Sequence, residues 1–232
     1  MRADAARNRE RILASARELF LTHGTDVPLD HVAQHAGVSI ATFYRRFPDR
    51  ISLVKAIALG EAAALCERMD ATRHLIVGGD GAAARDAWEA FVLDMAATPE
   101  GKLMPLLAAG FSELLAGDPE VWATHERVNG AVQELLRIAC THGLVRAELD
   151  PAEIMAFLMV ASRPAPLLSE QTTARLTHRL LQVVLAGLRP DAEHPINGAP
   201  LTIADLPVGP PRTTARLAKP TQCLGPETSP TG

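Results

Sequence analysis

The sequence predicts an all-α protein. Apolar residues recur at helical spacing through nearly every segment before residue 190, and no turn dipeptide is flanked by the alternating apolar runs of a β-hairpin. Good N-terminal caps, and glycines and prolines that end helices, divide this helical sequence into segments. We expect about nine helices, at about residues 5–23, 29–36, 40–47, 49–70, 82–97, 102–116, 118–142, 150–162 and 169–188.

The first two helices are short and amphipathic. Ile12, Ala16 and Phe20 place an apolar stripe on the first helix, and Gly24 follows as a residue suited to the left-handed conformation that ends many helices. The stripe of the second helix consists of Leu29, Val32, Ala33 and Ala36.

The later helices are predicted mainly from their ends. Asp49 is a good N-cap, and glycines at positions 78, 79 and 81 indicate a break over residues 74–81. Asp118 and Asp150 each precede a proline, which is the usual order of an N-cap and the first helical residue. Glu153 completes a capping-box arrangement with Asp150, and Ser169 caps the last helix.

Composition divides the chain into three parts. We expect a small helical domain at residues 1–50, a larger one at residues 51–189, and a tail at residues 190–232. The tail holds nine of the seventeen prolines, so we predict that it is disordered, with a partner-binding segment as the alternative.

Residues 1–55 carry nine Lys/Arg against six Asp/Glu, and the rest carries fourteen against twenty-one. Residues 1–55, which we call the head, are therefore basic, and the remainder, which we call the body, is acidic. This distribution fits a polyanionic partner for the head, although an excess of three charges also arises by chance.

Composition argues against a membrane or secreted protein. No run of about 18 apolar residues is present, the N-terminus is too charged for a secretory signal, and the three cysteines are widely spaced. These features suit a reducing cytoplasm.

His31 and His35 have the spacing of metal ligands but no evident third ligand, so we expect no metal and no cofactor. We find no nucleophile elbow, phosphate loop or clear acid/base pair, so we expect no enzymatic activity.

The stretch AQHAGVSIATFYRRFPDRISL, which begins at Ala33, predicts a helix-turn-helix. Ala33 is small enough for two helices to cross closely, and Gly37 allows the left-handed backbone at which the chain reverses. Ser39 can cap the second helix. Phe43 and Phe47 are four residues apart and face inward. The residues that this arrangement leaves outward are Ile40, Ala41, Thr42, Tyr44, Arg45 and Arg46.

This outward surface suits double-stranded DNA. A helix fits the major groove, where an arginine can hold guanine O6 and N7 by two hydrogen bonds. Tyrosine and threonine hydroxyls suit phosphate oxygens, as does the N-terminus of the next helix with Arg50, although Asp49 is better placed to cap that helix. The alternative for the two arginines is a solvated helix face. The predicted DNA-binding residues are Ser39, Ile40, Ala41, Thr42, Tyr44, Arg45, Arg46 and Arg50.

Residues 8–57 resemble the N-terminal domain of TetR-family transcriptional regulators. The order of apolar positions matches, as do the Ala-Gly-Val, Thr-Phe-Tyr and Phe-Pro-Asp-Arg segments. The resemblance covers roughly a quarter of the chain by motif and implies a DNA-binding regulator, usually a repressor. It implies base contacts for Ile40, Ala41, Tyr44 and Arg45, and phosphate contacts for Thr42, Tyr44, Arg46 and Arg50.

Some positions depart from the family pattern. Ala41 stands where glycine or proline is common, and Leu29 and Asp30 stand where some members touch DNA with threonine and arginine. The Asp30 carboxylate would repel phosphate, so we expect fewer contacts from the second helix. We expect compensation from a flexible N-terminal arm that carries Arg2, Arg7 and Arg9.

One reading helix makes few base contacts, so we expect a homodimer on a near-palindromic operator, with two such helices about 34 Å apart. Residues 154–160 are apolar on nearly every side, which predicts burial all round. In the family the last two helices pair with those of the partner, and burial within one monomer is the alternative. The predicted interface residues are Phe157, Leu158, Leu176, Leu180, Val184 and Leu188.

The resemblance also implies a pocket for a small apolar or amphipathic effector in the second domain. Aromatic and methionine side chains form adaptable pocket walls, and each is equally explained as ordinary core. The candidate residues are Trp88, Phe91, Met95, Met104, Leu107, Phe111, Trp122, His125 and Met155. The effector would favour a conformer in which the two DNA-binding domains of the dimer are wrongly spaced for the operator. The helix that follows Asp49 would transmit this change from the second domain to the first.

Rival hypotheses follow from the same residues. A DNA-binding dimer without an effector is favoured if the core holds no cavity of about 300 Å3. A helical interaction module would not bind duplex DNA specifically, and an enzyme in the helical body would turn over its bound ligand.

Overall fold

The computed structural model describes residues 2–95, 98, 103, 107, 117–146, 148–161, 167–190 and 196–201. These residues contain no strand, which confirms the all-α prediction. The helix predicted at 102–116 lies outside the described residues except for Leu103 and Leu107, which are both helical. Most of the predicted tail also lies outside them. The helices are α1 (Arg2–His23), α2 (Leu29–His35), α3 (Ile40–Arg46), α4 (Arg50–Gly78), α5 (Gly81–Met95), α6 (Pro119–Thr141), α7 (Pro151–Ala161) and α8 (Glu170–Leu188).

Two helices are longer than the sequence predicted. α1 begins at Arg2, so the N-terminal arm that was expected to be flexible is helical. α4 continues to Gly78, through most of the break expected at 74–81. Its later turns keep a buried face, since Thr72 and Ile76 are 6% and 0% exposed. Burial of a side chain such as Ile76 contributes about 1.5–3 kcal/mol, which outweighs the roughly 1 kcal/mol that a glycine costs in a helix.

The predicted helix starts are confirmed by their caps. The Asp49 carboxylate accepts a hydrogen bond from the Ser52 N–H at 2.7 Å, and the Asp49 N–H donates to the Ser52 Oγ at 3.4 Å. Asp118 accepts from the Glu120 N–H at 2.9 Å, and Ser169 caps α8 in the same manner. Caps of this kind stabilise a helix by about 1 kcal/mol each.

Within the described part of the chain, the buried apolar residues form two cores. The head core joins α1, α2 and α3 to the first turns of α4, where Leu53, Val54 and Ile57 are fully buried. It also contains Leu103 and Leu107. The body core joins the rest of α4 to α5, α6, α7 and α8. α4 therefore belongs to both cores.

Three ion-pair contacts between described residues fasten α4 to its neighbours. The Arg17 Nε on α1 donates to Glu61 Oε1 at 2.5 Å, and the Glu61 side chain is only 4% exposed. The Lys55 ammonium lies 2.7 Å from Asp118 and 2.8 Å from Glu120 at the start of α6. The hydrogen bond from Lys55 holds the pKa of the Asp118 carboxyl below its ordinary value, and the same contacts raise the pKa of Lys55. α1, α4 and α6 are thus connected at the level of the head.

No helix in the described part of the chain has the length and apolar character needed to cross a membrane.

Candidate DNA-binding surface

The turn between α2 and α3 has the geometry that the sequence predicted. Gly37 has φ +61°, which is left-handed backbone that glycine adopts without strain. The Val38 N–H donates to the Ala33 carbonyl at 3.0 Å, and Ala33 is 2% exposed where the helices meet. The guanidinium of Arg11, on α1, donates to the Gly37 carbonyl at 3.2 Å. α1 therefore holds the turn in place, a role for Arg11 that the sequence analysis did not identify.

α3 is anchored on one side by aromatic packing. Phe43 is 0% exposed and Phe47, its C-cap residue, is 3% exposed. The rings of Tyr44 and Phe43 pack in a T-shaped arrangement, with centroids 5.6 Å apart at 84°, and Tyr44 remains 47% exposed. The Tyr44 ring is thus positioned by the core while much of the side chain stays outside.

The remaining α3 side chains face outward. Ile40 is 44% exposed, and Ala41, Arg45 and Arg46 are also exposed. Among the described residues, neither Arg45 nor Arg46 forms a hydrogen bond or an ion pair, so both guanidiniums keep their donors for a ligand.

Ser39 and Thr42 form the start of α3. The Ser39 Oγ accepts from the Thr42 N–H at 3.2 Å and donates its own proton to the Thr42 Oγ1 at 2.9 Å. The Thr42 hydroxyl keeps its hydrogen, which can be donated to a phosphate oxygen. Ser39 acts here as the helix cap.

Arg50 occupies a different position from the one expected. Its half-buried guanidinium donates to the carbonyl of Val27 at 2.7 Å and to the carbonyl of Thr25. These bonds tie the start of α4 to the loop between α1 and α2. We therefore correct its expected role: in this conformation Arg50 is a structural tether, because its donors reach two backbone carbonyls of the α1–α2 loop.

Charged side chains on α1 and α2 lie near α3. Asp30 is exposed at the start of α2 and accepts from the His31 N–H at 3.0 Å. The guanidinium of Arg9 lies over the Phe47 ring, 5.8 Å from its centroid, and so brings a positive charge beside α3.

The two histidines of α2 do not form a metal site with other described residues. Both are exposed, and His35 lies 3.8 Å from Glu18. No group of three potential ligands occurs in the described residues.

The predicted effector residues divide among several places. Trp88, Phe91 and Met95 line a small apolar cavity of about 20 Å3 in the body core, and the first two rings stack with centroids 6.1 Å apart. This volume holds about one water molecule. The other lining residues, which the sequence analysis did not select, are Leu65, Met69, Val132, Leu135, Leu136 and Ile154.

Other predicted pocket residues lie elsewhere. Leu107 is 2% exposed in the head core, so its assignment to the pocket is corrected: it packs in the core that α1, α2, α3 and the first turns of α4 share. Trp122 and His125 pack against each other on α6 in a tilted arrangement, with centroids 5.4 Å apart at 36°. Met104, Phe111 and the side chain of Met155 lie outside the described residues.

An exposed apolar stripe runs along α8. Leu176 and Leu180 are 53% and 42% exposed, as predicted for an interface, whereas Val184 is half-buried and Leu188 is only 3% exposed. Steps of four residues in a helix of 3.6 residues per turn advance by about 40° each, so three steps rotate Leu188 by about 120° into its own core. Val183, seven residues after Leu176, stays within about 20° of it and is 69% exposed.

α7 extends this stripe. Phe157 and Val160, three residues apart, are 37% and 62% exposed. The side chain of Leu158 lies outside the described residues. We therefore correct the predicted interface by removing Leu188, and we add Val160 and Val183, which helical geometry could have identified.

Comparison with known proteins agrees with this arrangement. Residues 12–57 match the family of bacterial regulatory proteins named after tetR, and residues 83–190 match the C-terminal domain of SbtR-like transcriptional regulators. The HTH-type transcriptional regulator SrpR of Pseudomonas putida is 29% identical over 161 residues, which are 64% of this chain and 68% of SrpR.

Solved structures show the same fold. A TetR transcription regulatory protein from Mycobacterium vanbaalenii is 28% identical, with a TM-score of 0.54 over 81% of this chain and 98% of that one. LfrR from Mycobacterium smegmatis, solved with proflavine, is 17% identical, with a TM-score of 0.56 over 76% and 95% of the two chains. The motif, the two matched segments and these relatives lead to one conclusion: the chain belongs to the TetR family of transcriptional regulators.

Proposed function

We propose that this regulator is a homodimeric repressor that reads a near-palindromic operator with α3. The observation that carries the proposal is the outer face of α3, where two arginines without partners among the described residues lie beside the exposed Tyr44. Arg45 is the proposed base contact and Arg46 the proposed phosphate contact. Ile40 and Ala41 would contact base edges, and Thr42 a phosphate.

A gel-shift titration of the full chain with DNA that flanks its own gene tests this proposal. We expect a preference over competitor DNA and an affinity that falls with salt. Arg45→Ala should relax base preference at about one position, with a loss of roughly tenfold or more. Arg46→Ala should weaken all sequences alike and reduce the salt slope by about 1.

The matched control is Arg137→Ala, which removes an exposed arginine on α6, remote from α3. The DNA-binding part of the proposal fails if the chain shows no preference over competitor DNA, or if the control loses as much affinity as Arg45→Ala. Footprinting of the shifted fragment then gives the half-site spacing.

The apolar stripe supports the dimer. Leu176, Leu180 and Val183 are exposed on α8, and Phe157 and Val160 are exposed on α7. The two helices meet where the Thr177 hydroxyl, next to Leu176, donates to the Ala161 carbonyl, next to Val160. Groups of exposed apolar side chains mark protein interfaces. We expect Val183→Asp to yield monomers in sedimentation velocity, because an unpaired carboxylate would be buried at the interface. Leu75→Asp is the control, since Leu75 is 61% exposed on α4 and lies outside the stripe. A dimeric Val183→Asp protein would exclude this surface.

Control by a small molecule is the finer part of the proposal. LfrR is a relative solved with proflavine, and a rotation of α4 would carry the effect of such a ligand from the body core to the head. We propose an apolar or amphipathic effector that enlarges the cavity beside Leu65 and Met69 of α4. Release of labelled operator DNA on titration with proflavine would support effector control. If proflavine shows no saturable binding to the protein, it is excluded as an effector.

The size of the cavity favours a second candidate. A volume of about 20 Å3 is far below the 300 Å3 or more of ordinary ligand pockets. A DNA-binding dimer whose affinity no small molecule changes is therefore the alternative, and operator affinity that stays constant across a panel of apolar ligands would support it.

A further inference from the structure

A second concave site lies at the end of the body that is remote from the Lys55–Asp118 contact. It is a groove of about 240 Å3, which we call the distal groove. It is lined by Arg85, Trp88 and Glu89 of α5, by Gly143 and Leu144 after α6, and by Leu185, Arg189 and Pro190 at the end of α8.

The charges of the distal groove leave one cation in excess. Arg189 donates to Glu89 Oε1 at 3.2 Å, so these two charges compensate each other. Arg85 forms no hydrogen bond or ion pair with any other described residue. Its guanidinium therefore presents a fork of donors to the groove without an acceptor from the described chain.

Trp88 forms the inner wall of the distal groove. Its side chain is 3% exposed, yet its indole Nε1 is buried without a hydrogen-bond acceptor among the described residues. Buried indole N–H groups normally have an acceptor. Leu144, Leu185 and Pro190 add apolar surface beside it. The site thus combines a cation without an acceptor from the described chain and an apolar wall.

We propose that the distal groove binds a small organic carboxylate with an apolar ring or short chain. The carboxylate binds Arg85, which matches a carboxylate with two parallel hydrogen bonds, and the apolar part lies against Trp88 and Leu185. A regulatory consequence rests on the proposed function: Trp88 also lines the cavity beside Leu65 and Met69 of α4, so the occupied groove presses on the helix that carries the head.

The test uses benzoate as the probe and calorimetry of the full-length protein as the readout. We expect a dissociation constant of about 1 mM or tighter. Acetate, which lacks the ring, and benzyl alcohol, which lacks the charge, should bind at least about tenfold more weakly. In a Trp122→Phe background Trp88 is the sole tryptophan, so quenching of its fluorescence places the probe beside Trp88. Loss of this quenching in Arg85→Gln distinguishes the groove from the body cavity that Trp88 also lines.

Arg85→Gln should weaken benzoate at least about tenfold, whereas Arg137→Gln, which removes the same charge on neighbouring α6 outside the groove, should leave it within about twofold. Far-UV circular dichroism verifies that both variants fold.

Three results would overturn the proposal: no saturable heat or quenching with benzoate, equal binding of benzyl alcohol, or equal losses in the two variants. Operator binding is measured separately by gel shift without benzoate. If the protein does not bind its operator, the proposed function is refuted and the carboxylate site is unaffected. If benzoate does not bind, the carboxylate site is refuted and the proposed function is unaffected.

Discussion

Replacement of Gly37 by alanine should destabilise the protein through two additive effects in the turn before α3. Gly37 has φ +61°, and a residue with a Cβ costs about 1–2 kcal/mol in that conformation. The new Cβ would also lie 2.4 Å from the Arg11 Nη2, so the guanidinium must move and give up its bond to the Gly37 carbonyl. That bond contributes about 1 kcal/mol, which brings the expected loss to about 2–3 kcal/mol.

Gly24→Ala is the matched control. Gly24 has φ +83°, but nothing lies within 4 Å of an added Cβ, so only the backbone effect of about 1–2 kcal/mol remains. Urea unfolding followed by far-UV circular dichroism measures both losses. Because Arg11→Ala already lacks the clashing group, Gly37→Ala should cost about 1 kcal/mol less in that background. Equal losses at the two glycines, or an unchanged loss in the Arg11→Ala background, would refute this reasoning.

Three further predictions concern the contacts that hold the helices together. Arg17→Met should lower the free energy of unfolding, measured in urea, by about 3 kcal/mol because it leaves the buried Glu61 unpaired. Adding Glu61→Gln should recover much of that loss, and no recovery would show that the ion pair is not its cause. Because folding lowers the pKa of Asp118, its carboxylate stabilises the protein above its unfolded pKa of about 3.9, and this stabilisation is lost as the pH falls through the folded pKa. Asp118→Asn keeps a helix cap, so its unfolding midpoint should approach that of the unmodified protein only in acid. A difference between the two midpoints that stays constant from about pH 6 to pH 2 would contradict this. Arg146→Leu should lower stability by about 2–3 kcal/mol, because the guanidinium donates to the Gly187 carbonyl at the end of α8 and is 9% exposed, whereas a loss under 0.5 kcal/mol would show that water replaces it.

The reading helix was predictable because its determinants are local. Ser39 caps the next turn, Gly37 permits the reversal, and the four-residue spacing of Phe43 and Phe47 places both rings on one face. Each of these relations spans a few residues, within which helix geometry determines direction. Exposure of Arg45 and Tyr44 then follows, because the opposite face is occupied by the two phenylalanines.

The errors arose where a longer range decides. Arg50 was expected to meet phosphate, but the carbonyls that it binds belong to residues 23 and 25 positions earlier in the chain. Arg11 reaches a carbonyl 26 residues away, which no periodicity indicates. Leu188 was misplaced by a spacing rule that drifts by about 40° per step, an error that strict helical geometry corrects without a structure.

The attachments of α4 explain how a small change in the body could matter at DNA. α4 has 29 residues and is therefore about 43 Å long. Its first turns are held to α1 by the Arg17–Glu61 pair, and the head core extends to Leu103 and Leu107, so the head follows α4 as one unit. If α4 pivots at its body end, a tilt of about 5° moves the head by about 4 Å, more than the 3.4 Å rise of one base pair along a DNA strand. In a dimer with opposite motion of the two heads, the half-site spacing changes by about twice that distance, and α3 no longer meets both half-sites in register.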